Sequence, residues 1–244
     1  MTRAISRTIL GFVVAGFFWF SYQSVSQVYP FNWKVIPRYY KLFLEGLVTT
    51  MELSVIALGF AVLIGVLVAL ARTSKSVLLK DAGTLYVWFF RNMPLLVVIL
   101  LVYYGFGSTV NIDRFWAGVL SLSLFEGAYV GEIFRAGIEA VPSGEIEAGE
   151  AMGLYRRQIM FSIVFPQAFR ISIPPLIGQL VSLVKDSSLV SVIALGDITM
   201  RARQVGTQTL AVFEAYLILA GCYLLITSTL SLLGRFLERR MVIP

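Results

Sequence analysis

Charged and polar side chains interrupt several long apolar stretches of this sequence, and these are the residues whose types could do chemistry. Glu126 and Tyr129 stand three residues apart in one such stretch, and Arg91 lies in another. A third stretch carries polar residues at helical spacing, namely Gln179, Ser182, Lys185 and Asp186, with Ser187 beside them. A charge at bilayer depth costs at least about 2.5 kcal/mol, so these side chains are expected to face a bundle interior or a wet cavity.

These groups suit the binding of a polar solute rather than catalysis. Together they offer carboxylate, ammonium, guanidinium and amide groups, which match a zwitterion with a polar side chain. Glu126 favours a cation, whereas Lys185 and Arg91 favour an anion, so the set does not select one solute. Other roles stay open, because Glu126 can be a hydrogen-bonded packing residue and Arg91 can extend to the membrane surface. Arg91 with Asn92 and Pro94 also marks a broken helix start, a feature found near bound ligand groups in membrane proteins.

Further residues near Glu126 predict structure rather than binding. Glu132, Arg135 and Glu139 are spaced three and four apart, which favours an ion network within one helix near its aqueous end over a ligand site. Gly127 and Gly131 form a G-x-x-x-G pattern, which is typical of a helix face that another helix approaches closely.

The composition is that of an integral membrane protein. Of the 244 residues, 58% are hydrophobic and only 14% are charged, and the mean hydropathy is +0.82. We therefore expect an all-α, polytopic protein with a single membrane domain over residues 1–244. The net charge of +6 indicates contact with anionic lipid headgroups and no nucleic-acid partner.

The residue types that are scarce exclude several classes of function. The chain has one cysteine, Cys222, and no histidine, which excludes a disulfide scaffold and argues against haem or transition-metal chemistry. It has no G-x-x-x-x-G-K-[ST] sequence, so it carries no P-loop for a nucleotide. We expect no cofactor, no metal site and no catalytic residue on this chain.

Apolar stretches predict six membrane-spanning helices. The second contains small residues that suit close helix packing, namely Gly59, Ala61, Gly65 and Ala69. The predicted spans lie at about 8–28, 46–71, 86–107, 115–138, 172–195 and 213–234.

The first of these spans has an alternative interpretation. Its charged start and short apolar run, followed by Ser24 and Ser26, are also typical of a signal peptide that is cleaved. The retained helix is favoured, because the apolar stretch continues to Val28 and approaches the length of about 20 residues that a span needs. Residues 1–40 then comprise an N-terminal helix and an interfacial segment rich in Tyr, Trp and basic residues.

The distribution of basic residues predicts the orientation. Lys and Arg are more numerous in the loops on the side of the two termini than on the opposite side. The positive-inside rule therefore places both termini, and with them the 142–166 loop, in the cytoplasm.

Residues 142–166 form a loop and are the longest stretch of the chain in which polar and apolar residues are mixed. Ser143 is predicted as a helix N-cap, and Glu145, Glu147 and Glu150 supply the negative charge that a helix N-terminus favours. Gly153 is predicted to separate two short helices. The second helix is predicted to start at Tyr155 and to end at Pro166.

The spacing in this loop resembles the EAA loop of ABC importer permeases, whose pattern is E-A-A, x3, G, x9, I, x, L-P. Gly149 stands for the second Ala, and Phe165 for the Leu. The resemblance implies a cytoplasmic coupling helix that docks on a separate ATPase. The residues implied in coupling are Glu147, Ala148, Gly149, Gly153, Arg156, Ile163 and Pro166.

Four more stretches are similar to the polar-amino-acid branch of these permeases, at 89–96, 127–138, 166–176 and 183–198, and residues 125–129 are similar to glutamate/aspartate permeases. The resemblance implies a five-helix core, to which the N-terminal span adds a sixth helix, in the bacterial inner membrane. It also implies a second permease subunit (a copy or a sister chain), an ATPase dimer that binds ATP and Mg²⁺, and an extracytoplasmic amino-acid-binding protein. Glutamate, aspartate and glutamine are the candidate substrates.

A secondary transporter or channel without an ATPase is the alternative. The charges within the membrane motivate it, and it requires inverted repeats or a coupling ion. It gives no reason for the spacing in the 142–166 loop.

Overall fold

The computed structural model describes residues 13, 16 and 19–241, except for the side chains of Ser108 and of residues 238–241. Within this part of the chain every regular element is helical, which confirms the predicted all-α class. Nine residues of the predicted 8–28 span lie outside the described residues, and residues 19–26 of this span are helical. The helices that follow are α1 (Val35–Arg72), α2 (Val77–Asn92), α3 (Leu95–Phe106, closed by the turn Gly107–Val110), α4 (Arg114–Glu139), α5 (Ser143–Ala151), α6 (Arg156–Ile193), α7 (Ile198–Thr209) and α8 (Val212–Met241).

Four of these helices, α1, α4, α6 and α8, are long and apolar enough to cross a membrane. The predicted single span at 86–107 is wrong in form, because α2 and α3 meet there at a bend of 104°. Pro94 explains the break, since proline lacks a backbone N–H and forces the residue before it out of the helical conformation. Met93 accordingly has an extended backbone, with φ −105° and ψ 137°. The described helices thus supply four spans, or five if the bent pair counts as one.

The predicted end of a helix at Pro166, and the start of a separate span near 172, are also wrong. Helix α6 runs without a break from Arg156 to Ile193 and includes Pro174 and Pro175. Its residues Met160–Val164 form a π-helical turn directly before the helical segment that contains Pro166. This wider turn accommodates a residue that cannot donate a backbone hydrogen bond, so the helix continues past it.

Helices α1 and α4 touch along the predicted glycine face, and this contact forms the centre of the bundle. A Cβ atom on Gly65 would lie 2.4 Å from Val130 Cγ1 and 3.0 Å from the backbone N of Gly131. A Cβ on Gly127 would lie 2.7 Å from Ile64 Cγ2. The small residues therefore allow the two backbones to approach to a distance that larger side chains would prevent. Gly59, by contrast, faces open space.

A second anchor ties the segment before α1 to the start of α8. Glu214 is fully buried and accepts a hydrogen bond from the Tyr29 hydroxyl at 2.8 Å and another from the backbone N–H of Asn32. Nearby, Asp197 caps α7 through hydrogen bonds from the backbone N–H groups of Thr199 and Met200, each at 3.0 Å. Burial raises the pKa of Asp197 to about 6. These carboxylates fix the loops at the end of the bundle opposite α5.

The α1–α4 contact generates the first prediction. Gly65→Ala is expected to lower the free energy of unfolding by about 1–3 kcal/mol, because the added methyl group meets Val130 and the α4 backbone in a packed interface. Gly59→Ala, on the same helix, is the matched control and is expected to leave stability unchanged or to raise it, since alanine favours a helix by about 1 kcal/mol over glycine. Thermal unfolding of the purified variants in detergent measures both. Equal melting temperatures would contradict the close contact.

Candidate functional site

Glu126 is the central residue of the candidate path. It lies in α4, is fully buried, and its Oε2 accepts a hydrogen bond from the side-chain amide of Gln179 in α6. Its Oε1 has no hydrogen-bond partner among the described residues. Asp186, two turns further along α6, also lies close enough to interact with Glu126. Glu126 is buried and Asp186 is half-buried, and two carboxylates close to each other repel unless a proton or a cation lies between them, so the geometry suits a bound ammonium group.

Arg91 lies at the end of α2, beside the bend between α2 and α3. Its Cζ is 5.3 Å from the centre of the Tyr129 ring, one turn along α4 from Glu126. The Arg91 guanidinium is 3.9 Å from Glu132 Oε2, and its side chain is 45% exposed. This contact is long and solvated, and such an ion pair contributes little, so the guanidinium can accept an anionic group.

Glu132 joins the helices around this point. The predicted ion network within α4 is present, since Arg135 pairs with Glu132 at 3.0 Å and with Glu139 at 2.5 Å. The structure adds Arg72 from α1, which forms a salt bridge with Glu132, and Arg91 from α2. Arg72 was missed as a partner because its position after an apolar stretch indicates only a membrane boundary. One carboxylate therefore holds guanidinium groups from three helices.

The remaining predicted path residues separate into two groups. Ser182 is half-buried on α6, whereas Lys185 is exposed on the same helix. Ser187 is buried and donates its hydroxyl to the Val184 carbonyl at 2.8 Å, so this group is used within the helix. The structure thus brings Glu126, Gln179 and Asp186 to one point and Arg91 and Tyr129 to the next turn, and it leaves Lys185 on the outer surface.

The 142–166 loop forms a compact helical hairpin of α5 and the first turns of α6. Gly153 has φ +77° between the two helices, a backbone conformation that side chains disfavour, as the predicted turn requires. The Leu154 N–H donates to the Gly149 carbonyl at 3.1 Å and closes the end of α5. The Tyr155 N–H donates to Gln158 Oε1 at 2.8 Å and caps α6. The predicted N-cap at Ser143 is wrong, because α5 already includes Ser143 and Pro142 precedes it.

The inner side of α5 packs on α6 through Gly149. A Cβ on this glycine would lie 3.0 Å from Ile163 Cδ1 and 3.1 Å from Ile159 Cγ1. An alanine would require both isoleucine side chains to move, which gives a physical reason for the glycine at this position of the pattern. Glu145 accepts a hydrogen bond from Gln167 of α6 and strengthens the hairpin; its position in the first turn of α5 did not predict this partner.

The outer side of the hairpin is open to solvent. Among the residues predicted to couple, Glu147, Ala148, Gly153, Arg156 and Pro166 are exposed, and Ile163 is half-buried. Met152 and Tyr155 add exposed apolar surface, with relative exposures of 71% and 79%. A rigid hairpin with an exposed, partly apolar outer side can serve as a docking element for another protein.

Three comparisons relate this geometry to known proteins. A family model described as "Binding-protein-dependent transport system inner membrane component" matches residues 61–243. The chain is 38% identical over 203 residues to the "Probable glutamine ABC transporter permease protein GlnM" of Bacillus subtilis (strain 168), covering 83% of this chain and 94% of that protein. It is 35% identical over 212 residues to the "L-cystine transport system permease protein TcyB" of the same organism, covering 86% and 91%.

A solved structure is similar over most of the chain. The crystal structure described as that of an amino acid ABC transporter with histidines superimposes with a TM-score of 0.82 at 34% sequence identity. The match covers 87% of this chain and 100% of the other.

The Glu132 cluster generates the second prediction. Glu132→Gln is expected to lower the free energy of unfolding by about 3 kcal/mol, because it leaves the largely buried Arg72 guanidinium of α1 without its carboxylate and removes one of the two carboxylates that pair with Arg135. Glu139→Gln removes a more exposed carboxylate that pairs with Arg135 alone, and is expected to cost less than about 1 kcal/mol. Thermal unfolding of the two variants gives the comparison. A loss for Glu132→Gln no larger than that for Glu139→Gln would show that the cluster does not join the helices.

Proposed function

Because this chain belongs to the family of binding-protein-dependent transport system inner membrane components, and within it to the permease subunits of amino-acid ABC importers, as its sequence predicted, we propose how it couples and what it binds. The chain is a multi-pass protein of the inner membrane and is not itself an enzyme. We propose that the hairpin of α5 and the start of α6 docks on a separate ATPase, which binds ATP and Mg²⁺. The polar residues of α4 and α6 line the path of a polar amino acid.

The observation that supports the coupling proposal is the hairpin itself. Its exposed outer residues fit a docking surface, and its inner contacts through Gly149 and Glu145 fasten it to α6. Movement of the hairpin is therefore transmitted to α6, which carries Gln179 and Asp186. ATP-driven closure of the ATPase pair would shift the bundle between inward and outward openings, a two-state change biased by nucleotide. This proposal requires the hairpin to lie on the cytoplasmic side, where the distribution of basic residues also predicts both termini.

The substrate proposal assigns a role to each end of an amino acid. The Glu126, Gln179 and Asp186 group would receive the α-ammonium, and Arg91 over Tyr129 would receive the α-carboxylate. Both ends would then be matched by charges that are otherwise incompletely paired. Glutamine is the first candidate, since a relative is named for it. The predicted preference for glutamate or aspartate finds no support in the names of the relatives above, which specify glutamine and cystine.

Lys185 supports a second permease subunit. It is exposed on a helix that crosses the membrane, where a lysine in contact with lipid costs about 2.5–3.5 kcal/mol. A second permease, either a copy of this chain or a sister chain, would cover this side of α6 and complete the path between the two subunits. An extracytoplasmic amino-acid-binding protein would deliver the substrate to it.

The coupling proposal is tested at the turn of the hairpin. Gly153→Val is expected to reduce both ATPase co-purification and transport at least tenfold, because a β-branched residue does not tolerate φ +77°. Gly144→Val is a matched control, since a Cβ at either glycine faces open space and Gly144 lacks the positive φ. Co-purification and uptake in liposomes with the ATPase and the binding protein measure the effect. Wild-type levels for Gly153→Val would remove the proposal.

The substrate path is tested at Glu126. Glu126→Gln is expected to reduce amino-acid uptake about 10- to 100-fold, because a hydrogen bond to a charged group is worth about 1.5–3 kcal/mol. Ser121→Ala on the same helix is the control, since the Ser121 hydroxyl donates only to the Ala117 carbonyl of its own helix. ATPase co-purification is expected to persist in both variants. Unchanged uptake by Glu126→Gln would place the substrate elsewhere.

The same reconstituted system separates the importer from an ion-coupled transporter. ATP hydrolysis stimulated by one amino acid among a set that includes glutamine, cystine, glutamate and aspartate identifies the substrate. Uptake driven by a proton or sodium gradient in the absence of ATP would contradict the coupling proposal.

A further inference from the structure

An apolar groove lies on the outside of the bundle, between the ends of α1 and α4 and the first turns of α6. Its volume is about 340 Å³, and all of its lining residues are apolar. Val66 and Ala69 contribute from α1 and Phe134 from α4, while Phe161 and Phe169 form the wall on α6. A water molecule is poorly stabilised in this groove, because the apolar side chains that line the groove offer no hydrogen-bond partners. Phe161 and Phe169 are 59% and 57% exposed, so the groove is open toward the surroundings of the bundle.

Positive charge stands at the border of this groove. The Arg157 guanidinium lies over the ring of Phe161, with Cζ 5.9 Å from the ring centre, and it is exposed. Among the described side chains, no carboxylate forms an ion pair with Arg157. A planar guanidinium is suited to bind a phosphate group through paired hydrogen bonds.

We propose that this groove binds an acyl chain of an anionic phospholipid, and that Arg157 binds the phosphate of its headgroup. The occupant must combine an apolar chain with an anionic end, because the groove offers only apolar contacts while its border offers unpaired guanidinium charge. A phospholipid meets both requirements, and basic sites beside membrane helices attract anionic headgroups. The site lies next to the coupling hairpin, since Phe161 belongs to the π-helical turn of α6. It is separate from the Glu126 group and does not depend on the proposed function.

The charge at the border can be tested without disturbing the bundle, because Arg157 is an exposed residue. The probe is phosphatidylglycerol, compared with phosphatidylcholine, added to the full-length permease in detergent and counted by native mass spectrometry. Arg157→Ala is expected to lower the affinity for phosphatidylglycerol roughly fivefold, as the loss of one basic residue near a lipid headgroup predicts. Arg156→Ala, the neighbouring exposed arginine, is the matched control and is expected to retain the affinity.

The apolar part of the site is tested by filling the groove. Val66→Trp places a large ring in it and is expected to reduce the binding of phosphatidylglycerol, whereas Leu67→Trp, which does not line the groove, leaves binding unchanged. Equal affinity of the wild type for the two lipids, or equal affinity of Arg157→Ala and Arg156→Ala, overturns the proposal. A change of oligomeric state in Val66→Trp without a change in lipid binding also overturns it, and assigns the groove to a second copy of the chain.

Discussion

Charge inside an apolar bundle is the constraint on which this structure depends. Glu132 and its three arginines come from α1, α2 and α4, so their pairing requires these helices to meet within a few ångströms of one another. The glycine contact between α1 and α4 makes that approach possible, because Gly65 lies about two turns before Arg72 and Gly131 directly precedes Glu132. The small residues thus determine the distance between α1 and α4, and the charged groups of the Glu132 cluster can pair at that distance. Arg91 lies over the Tyr129 ring and makes a longer contact, of 3.9 Å, with Glu132 at the border of this cluster.

The continuity of α6 gives this arrangement a mechanical consequence. A helix of 38 residues is about 57 Å long at about 1.5 Å per residue, which exceeds the thickness of a bilayer core. Its first turns belong to the hairpin with α5, for which coupling to an ATPase is proposed, and its last turns carry Asp186. A separate helix beginning near residue 172 would have left a joint between these two parts. The continuous helix instead connects them directly, while the π-helical turn before Pro166 and the prolines at 174 and 175 are the places where it can bend.

The sequence predicted those features that depend on local pattern. The helix-forming apolar stretches, the turn at Gly153 and the glycine face of α4 each follow from neighbouring residues, and each is present. The wrong predictions concern helix ends at proline, since a proline can either end a helix or lie within one. Proline ended a helix at Pro94, whereas α6 continues past Pro166, which follows a widened turn, and past Pro174 and Pro175. The sequence also could not predict contacts between distant helices. Nothing around Arg72 indicates that it pairs with Glu132, and nothing around Gln179 indicates that it donates to Glu126.

The uneven burial of the spanning helices has its own consequence. Helix α4 is mostly enclosed by the bundle, whereas most of α8 and much of α6 face outward. For apolar side chains such as Leu224 and Leu225 this exposure carries no cost in lipid, so α8 can form the periphery. For Lys185 the same exposure would be costly in lipid, and this cost is the reason for proposing a second permease subunit beside that end of α6. The chemistry of the exposed side chains thus distinguishes the end of α6 that carries Lys185 from the apolar outer side of α8, which suits contact with lipid.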